Sequence, residues 1–596
     1  MTDSTATRAR EEAAPPSPQP RGRRLLRALR EDWISLVTTL ALLGLVVVPI
    51  GFLVMMSFRS GSPTAPGGFT FANYERVYAD PLTYQTLGNT VVYALVTSVI
   101  SLTIAALFAY LLERTDLPFR NLIWVVMLLP IAMPALLSAM SWILALSQRT
   151  GVLNIFIRDI LSWFGIVLET GPFNIHSLWG VIFVESIRGS TTLFLMMVAS
   201  FRLMDPSMEE AASMAGAKLI GTLRKIVLPL LLPILLATAM YGFIGNLDDF
   251  DVPLLIGLPG GVFILSTLIY FVTYLGSNWG VAAVYSTIFI AMTVLLVAIY
   301  HRVVLRNSER FATITGKAFK PRRASLGKWK WPALALVVGY FMLSVIIPFF
   351  IILYASLLPV YQVPSAEAFS KMSLGNYVDL FGSDRFINAL WNSTKLGVGT
   401  GVVTMVLAMF VAWVVVRRKV RGRLAIDALA FIPHALPSVA IVIALVAFYL
   451  SPWMRWLPLY GTLALMILAL VTRYIAFGTR TANGAMAQID SALEEAAAVG
   501  GVTKMRILWR ITLPLLKPAF IGGFVFVAAH GFRNLTIPLM MASQSNETVA
   551  VVLYQTWEIK SDFSGAGAIG VVLTLILAVL AIGSRRWIMR GYTGQE

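Results

Sequence analysis

Cysteine is absent from the 596 residues, which excludes disulfides and thiolate metal sites. Charge is scarce. Asp, Glu, Lys and Arg make up 13% of the chain, against about a quarter in a water-soluble domain, while 58% is hydrophobic and the mean hydropathy is +0.77. No phosphate-binding loop of the form GxxxxGK[ST] occurs; Gly316-Lys317 and Gly327-Lys328 lack both the upstream spacing and the following Ser or Thr. The chain therefore has no such means of hydrolysing ATP by itself. The apolar runs contain no paired carboxylates, histidine motif or nucleophile constellation, which argues against a membrane-embedded enzyme. His434 and His530 stand alone and read as packed polar residues, so neither a metal site nor a cofactor is expected.

What is present is apolar length. Crossing a bilayer takes about 20 residues, and twelve such runs are found. They lie near 33–57, 89–112, 121–146, 177–200, 230–256, 280–304, 333–357, 393–416, 424–450, 461–478, 515–541 and 566–584. The net charge of +17 is distributed in a way that orients a membrane chain and does not suggest a nucleic-acid binder. Basic clusters occupy alternate connections, among them Arg21 to Arg30, Arg114 and Arg120, Arg224 and Lys225, Arg302 to Arg323, Arg417 to Arg423, Lys504 to Arg510, and Arg585 to Arg590. This pattern places both termini in the cytoplasm. Residues 1–32 read as a disordered basic tail, and the first apolar run is too long for a cleaved signal peptide.

The chain repeats itself. Glu210-Ala211-Ala212, Gly216, Ile226, Leu228, Pro229 and Pro233 recur as Glu495-Ala496-Ala497, Gly501, Ile511, Leu513, Pro514 and Pro518, always 285 positions later. Arg188 and Arg473 keep the same offset, as do Pro253 and Pro538. Upstream the offset is 303, pairing Asn73-Tyr74 with Asn376-Tyr377, Asn89 with Asn392, Pro130 with Pro433, and Pro134 with Pro437. The difference of 18 falls in the loop near 148–176. Register kept on both sides of one insertion indicates duplication. The expected layout is two six-span halves in parallel repeat, 33–300 and 333–590, joined by a basic linker at 301–332 and followed by a short tail at 591–596.

The most specific pattern is Glu-Ala-Ala, three residues, Gly, nine residues, Ile-x-Leu-Pro. It occurs twice, each time in a basic loop between the fourth and fifth spans of a half. Glu209-Glu210 and Glu494-Glu495 fall at the start of a short helix, where carboxylates suit the positive end of the dipole. Asp205-Pro206 provides a cap and a first-turn proline; Asp490 keeps the cap with Ser491 in place of the proline. The alanines leave a helix surface that can approach a groove closely, and Gly216 and Gly501 permit the turn into a second helix.

This pattern resembles the EAA loop of bacterial binding-protein-dependent ABC importers, the permease fold shared by maltose, molybdate and ferric-iron systems. Both copies match in full, and the repeat carries the resemblance over nearly all the chain outside its first tail. The resemblance implies an all-α permease of the cytoplasmic (inner) membrane that needs an ATP-hydrolysing subunit in two copies and an external solute-binding protein. It further implies that Glu210, Ala211, Ala212 and Gly216, with Glu495, Ala496, Ala497 and Gly501, form two docking helices for that subunit.

The solute is less legible. A fused two-half permease resembles the ferric-iron branch, as do Leu129-Pro130-Ile131-Ala132-Met133-Pro134, Phe250-Asp251-Val252-Pro253 and Thr315-Gly316-Lys317. Polyamine, thiamine and phosphonate importers share the architecture and remain alternatives. Ionisable residues within spans are functional candidates. Asp248, Asp249 and Asp251 lie at the expected outer end of span five, with Arg533, Asn534 and Thr536 at the equivalent places, so a mouth acidic on one side and basic on the other is expected. It suits either a cation pathway or contact with the binding protein. Arg188, with Glu185 one turn before it, and Arg473 read as structural ion pairs or carbonyl contacts. An ion-gradient-driven carrier is the competing class, but its inverted repeats do not fit two halves of six spans each.

Overall fold

Proline decides where these helices bend. A proline inside a helix has no N–H for the carbonyl four residues back, and its ring crowds that carbonyl. In four spans the chain responds by widening one turn to π geometry just ahead of the proline: Leu43–Val47 before Pro49, Leu223–Val227 before Pro229, Met342–Ile346 before Pro348, and Leu508–Thr512 before Pro514. The two halves bend at equivalent places because they carry equivalent prolines.

The computed structural model describes residues 33–204, 207–217, 219–303, 323–418 and 422–592. The expected first tail, most of the linker, the last residues of the second tail and the Asp205-Pro206 cap lie outside the described residues. Among the described residues the fold is helical, without a named strand. Among the described residues nine helices are long and apolar enough to cross a membrane, or up to twelve if each of three bent pairs is one span. The duplication is visible in the coordinates. Arg120–Leu128, Leu129–Ala132 and Ala135–Leu146 have their equivalents in Arg423–Phe431, Ile432–Ala435 and Ser438–Leu450. In the second half this third span bends by 107° at Leu436-Pro437.

Two expected spans need correction. The fifth does not run to residue 256. It ends at Leu247, and Pro253–Gly260 with Leu265–Leu275 forms a separate pair bent by 77°. The eleventh likewise stops at Arg533, and Thr536–Met541 and Val549–Glu558 follow as short helices. In both halves the chain leaves the helix within the polar segment that opens the next element (Asp248 to Asp251, and Asn534), where side chains compete with the backbone ladder.

Each half lends its first span to the other. The stretch Val48–Ser57 packs on Ser438–Leu450 of the second half, and Ile347–Ser356 packs on Ala135–Leu146 of the first. The repeated Asn-Tyr pairs anchor the ends of these first spans. Asn73 Nδ2 donates to the Ser57 and Arg59 carbonyls at 3.0 and 2.8 Å, and the Tyr74 hydroxyl meets Ser57 Oγ at 2.8 Å. Asn376 Nδ2 donates to Ser356 and Leu358 at 2.9 and 2.7 Å, with Tyr377 on Ser356 Oγ at 2.7 Å. These residues, which sequence alone marks only as repeated, pair the carbonyls left over where each helix ends. The end of the linker is fastened too: the Ala324 N–H donates to the Arg114 carbonyl at 3.0 Å, and Lys330 Nζ lies 2.7 Å from Asp116 Oδ2.

Replacing Asn73 with Leu leaves two inward carbonyls unpaired, each worth about 1–3 kcal/mol. A lowered thermal midpoint of the purified protein is expected, and an unchanged midpoint would show that the anchor is dispensable.

Candidate functional site

Two arrangements stand out, one at each level of the bundle. The first is at the end carrying the short loop helices Ser207–Met214 and Ala492–Val499. Each begins with two glutamates and ends in a glycine with positive φ, Gly216 at +78° and Gly501 at +77°. Ala217 N–H reaches back to the Ala212 carbonyl at 2.9 Å and Val502 N–H to Ala497 at 3.2 Å, the closing bond of a glycine-terminated helix. The Asp490 carboxylate accepts from Ala492 N–H at 3.0 Å, so the expected cap is in place.

An arginine from the second span of each half holds this loop. Arg114 donates to the Phe201 and Met204 carbonyls at 2.8 Å each and lies 3.5 Å from Glu209. Its equivalent, Arg417, donates to Met486 and Ile489 at 3.1 and 2.6 Å and lies 3.4 Å from Glu494. One guanidinium thus pairs the last carbonyls of the fourth span and fixes the helix that follows. Burial pushes the Glu209 carboxyl above its ordinary value against the pull of Arg114, and Glu210 adds to the rise. The first glutamate of each pair is therefore turned inward, while Glu495 is exposed and Glu210 half-buried. Apolar side chains face out at matching positions: Met214 is 82% exposed and Val499 91%, with Met208 and Leu493 also exposed. Ala211 and Ala496 are exposed; Ala212 and Ala497 are half-buried.

The second arrangement is a cavity of about 400 Å³ between the halves. Glu185, Arg188 and Asp249 line it from the first half, and His434 and Arg473 from the second. Arg188 grips Glu185 with two bonds of 2.7 and 2.6 Å. Asp248 crosses to the second half, where it pairs with Arg473 and accepts from both the backbone N–H and the hydroxyl of Ser438, the latter at 3.0 Å. Ser438 opens the helix after the Leu436-Pro437 break, so this carboxylate also faces a helix N-terminus. Asp249 accepts from the Tyr93 hydroxyl and, at 3.0 Å, from Phe250 N–H. Asp251 accepts from the Thr536 hydroxyl at 3.0 Å. Asp251 and Thr536 are equivalent residues of the repeat, so the two halves meet there across their approximate symmetry.

Of the five pathway candidates, only Asp249 lines the cavity. Asp248 stands behind it and holds Arg473. Arg533 contacts His530 Nε2 at 3.0 Å, and Asn534 accepts from Ile537 N–H at 3.0 Å, capping the next helix. Arg473 lies ten residues into the 26-residue helix Leu463–Gln488, about 15 Å from its start, so its partner Asp248 is near mid-depth. Glu185, Arg188 and Arg473, read from sequence as structural ion pairs or carbonyl contacts, give the cavity its charge together with Asp249, and His434, read as a packed polar residue, lines it as well. The signal available for them was their ionisable character inside apolar runs. No group of three His, Cys, Asp or Glu suited to a metal occurs among the described residues.

Removing one partner of a buried pair costs about 3–5 kcal/mol because the other charge is stranded. The pair Asp248–Arg473 is half-buried, so Asp248→Ala should destabilise by less than that range, and adding Arg473→Met should recover much of the loss. A thermal double-mutant cycle checks this; additive losses would mean the pair is not coupled. Gly216→Ala and Gly501→Ala force a Cβ into left-handed backbone at about 1–2 kcal/mol each, and hydrogen exchange in the short helices should rise in each variant.

Comparison with known proteins agrees with this architecture. The family described as "Binding-protein-dependent transport system inner membrane component" matches residues 101–309 and 404–593, one stretch in each half. The ferric transport system permease protein FbpB of Actinobacillus pleuropneumoniae is 23% identical over 68% of this chain and 57% of its own length. A putative ferric transport system permease of Haemophilus influenzae is 26% identical over 61% and 56%. The chain therefore spans little more than half the length of these curated relatives. A second H. influenzae protein, an Fe(3+)-transport system permease, is 22% identical over 83% of this chain and 88% of its own length. Among solved structures, a bacterial ABC transporter importing the acidic polysaccharide alginate overlaps 44% of this chain and 96% of its own, at 20% identity and a TM-score of 0.36. With a family match in both halves, this multi-pass membrane chain belongs to the binding-protein-dependent transport system inner membrane components.

Proposed function

We propose that the chain is the complete membrane pathway of an ATP-binding-cassette importer, with two permease halves in one polypeptide. The observation that carries this reading is the repeated loop helix. Two short helices present matching apolar side chains, Met208 and Met214 in one and Leu493 and Val499 in the other, on equivalent arginine brackets. A single apolar patch has many explanations; two in register, 285 residues apart, suit two copies of one soluble partner. That partner is an ATP-hydrolysing subunit, a reading supported by the family and compatible with a chain that carries no phosphate-binding loop of its own. Glu210, Ala211, Ala212 and Gly216, and Glu495, Ala496, Ala497 and Gly501, form the docking surfaces. The loop end is cytoplasmic, as are both termini, and an external binding protein delivers solute to the opposite end.

The solute we propose is ferric iron. Support comes from the iron-permease relatives and from the carboxylates Asp249 and Glu185 in the cavity, a ligand type that suits a hard cation. Arg188 and Arg473 balance the neighbouring carboxylates and keep the passage from becoming a permanent cation trap. Asp248, Asp251, Arg533 and Asn534 act behind the lining, holding its geometry.

Uptake of labelled Fe(III) by iron-starved cells tests both parts. Glu210→Ala with Glu495→Ala should abolish uptake while leaving membrane insertion intact; normal uptake would reject the docking assignment. Loss of iron uptake but not of labelled polyamine uptake on deleting the gene is expected, and the reverse would reject iron.

A further inference from the structure

The insertion that breaks the register of the two halves has a structure of its own. In the first half it forms the helix Val152–Trp163, which the second half lacks; there the connection is the single turn Pro452–Met454. The root of the helix is rigid. Asn154, fully buried, donates to the Leu146, Ser147 and Phe173 carbonyls at 2.8, 3.2 and 2.8 Å and accepts from Phe173 N–H at 3.2 Å. It thereby ties the helix to the end of Ala135–Leu146 and to the approach of Leu178–Leu203. Beyond the root the character changes. Phe156 is 61% exposed, and the tip Trp163-Phe164-Gly165-Ile166-Val167 is exposed throughout, with Trp163 at 82% and Val167 at 84%.

A run of bare aromatic and branched side chains is costly in water, at about 25 cal/mol per Å² of apolar area. The same residues are favoured at a bilayer boundary, where aromatic rings sit at headgroup level. Their surroundings agree with the second setting. Phe173 and Trp179, exposed at the adjoining end of a spanning helix, continue the patch, and the shorter loop of the second half exposes Trp453 and Trp456 at the corresponding end. We propose that residues 156–167 form an interfacial foot: the tip Trp163 to Val167 is seated in the leaflet at the end of the bundle opposite the loop helices. It gives the first half a longer anchor than the second, whose shorter loop offers only Trp453 and Trp456. The proposal rests on membership of the membrane family and is independent of which solute is carried.

Native cysteine is absent, so single-cysteine spin labels report one place each. Phe164→Cys and Val167→Cys are labelled in the full chain in phosphatidylethanolamine–phosphatidylglycerol nanodiscs. Thr64→Cys, in an exposed polar loop, is the aqueous reference, and Val294→Cys, on a lipid-length span, is the apolar reference. Power saturation with oxygen and with a nickel chelate should give labels at 164 and 167 a severalfold loss of nickel access relative to 64, with high oxygen access as at 294. Nickel access equal to that at 64 would overturn the proposal. Nickel access lost only on adding the external binding protein would also overturn it and make the patch a protein contact. Two positions are used so that a folding defect in one variant leaves the other decisive.

Discussion

Inside a bilayer there is no water to pair a stray carbonyl, amide or charge, so every interruption of a helix must be answered by another part of the protein. Much of this structure consists of such answers. Prolines are absorbed by π turns. Where the first spans end, Asn73 and Asn376 pair the released carbonyls. Where the fourth spans end, Arg114 and Arg417 do so and, with the same guanidinium, hold a glutamate of the next helix. Because these answers come from distant sequence, they also lock the fold: a second span fixes the loop after the fourth, and each half's first span braces the other half.

The two halves keep their symmetry at the loop helices and lose most of it around the cavity, where Arg188 and Arg473 are the equivalent charged pair that remains. At the loop end, bracket, cap geometry and exposed apolar residues are duplicated. Around the cavity they are not. Glu185 has Leu470 as its equivalent, Asp248 has Arg533, and Ser438 has Ala135. The carboxylates thus come from one half; Glu185 and Asp249 find their partners within it, in Arg188 and Tyr93, while the ion pair Asp248–Arg473 bridges the halves.

How far this was legible varies with the distance over which each signal acts. The spans, the duplication and the loop helices follow from runs, offsets and capping residues that lie within one element, so reading them needs no knowledge of neighbours. Span five was read about nine residues too long because apolar residues resume in Pro253–Gly260 just after Asp248 to Asp251; a short polar break does not by itself tell a continuing span from a turn. The aspartates were recognised as candidates, but their partners were not, since Arg473, Ser438 and Thr536 lie in the other half.

By itself the sequence determined that the chain crosses a membrane many times, that it does so as two related halves, and that each half carries one exposed helix bounded by glutamates and glycine. Those features arise from local hydrophobicity, backbone restriction and helix-end chemistry. Only the tertiary structure decided that Glu185, Arg188, Asp249, His434 and Arg473 share one cavity, that Glu209 and Glu494 turn inward beside arginines, and that the extra loop of the first half presents a bare aromatic tip. Charge pairs and exposure belong to the packing of segments hundreds of residues apart, and no single segment contains the information that sets them.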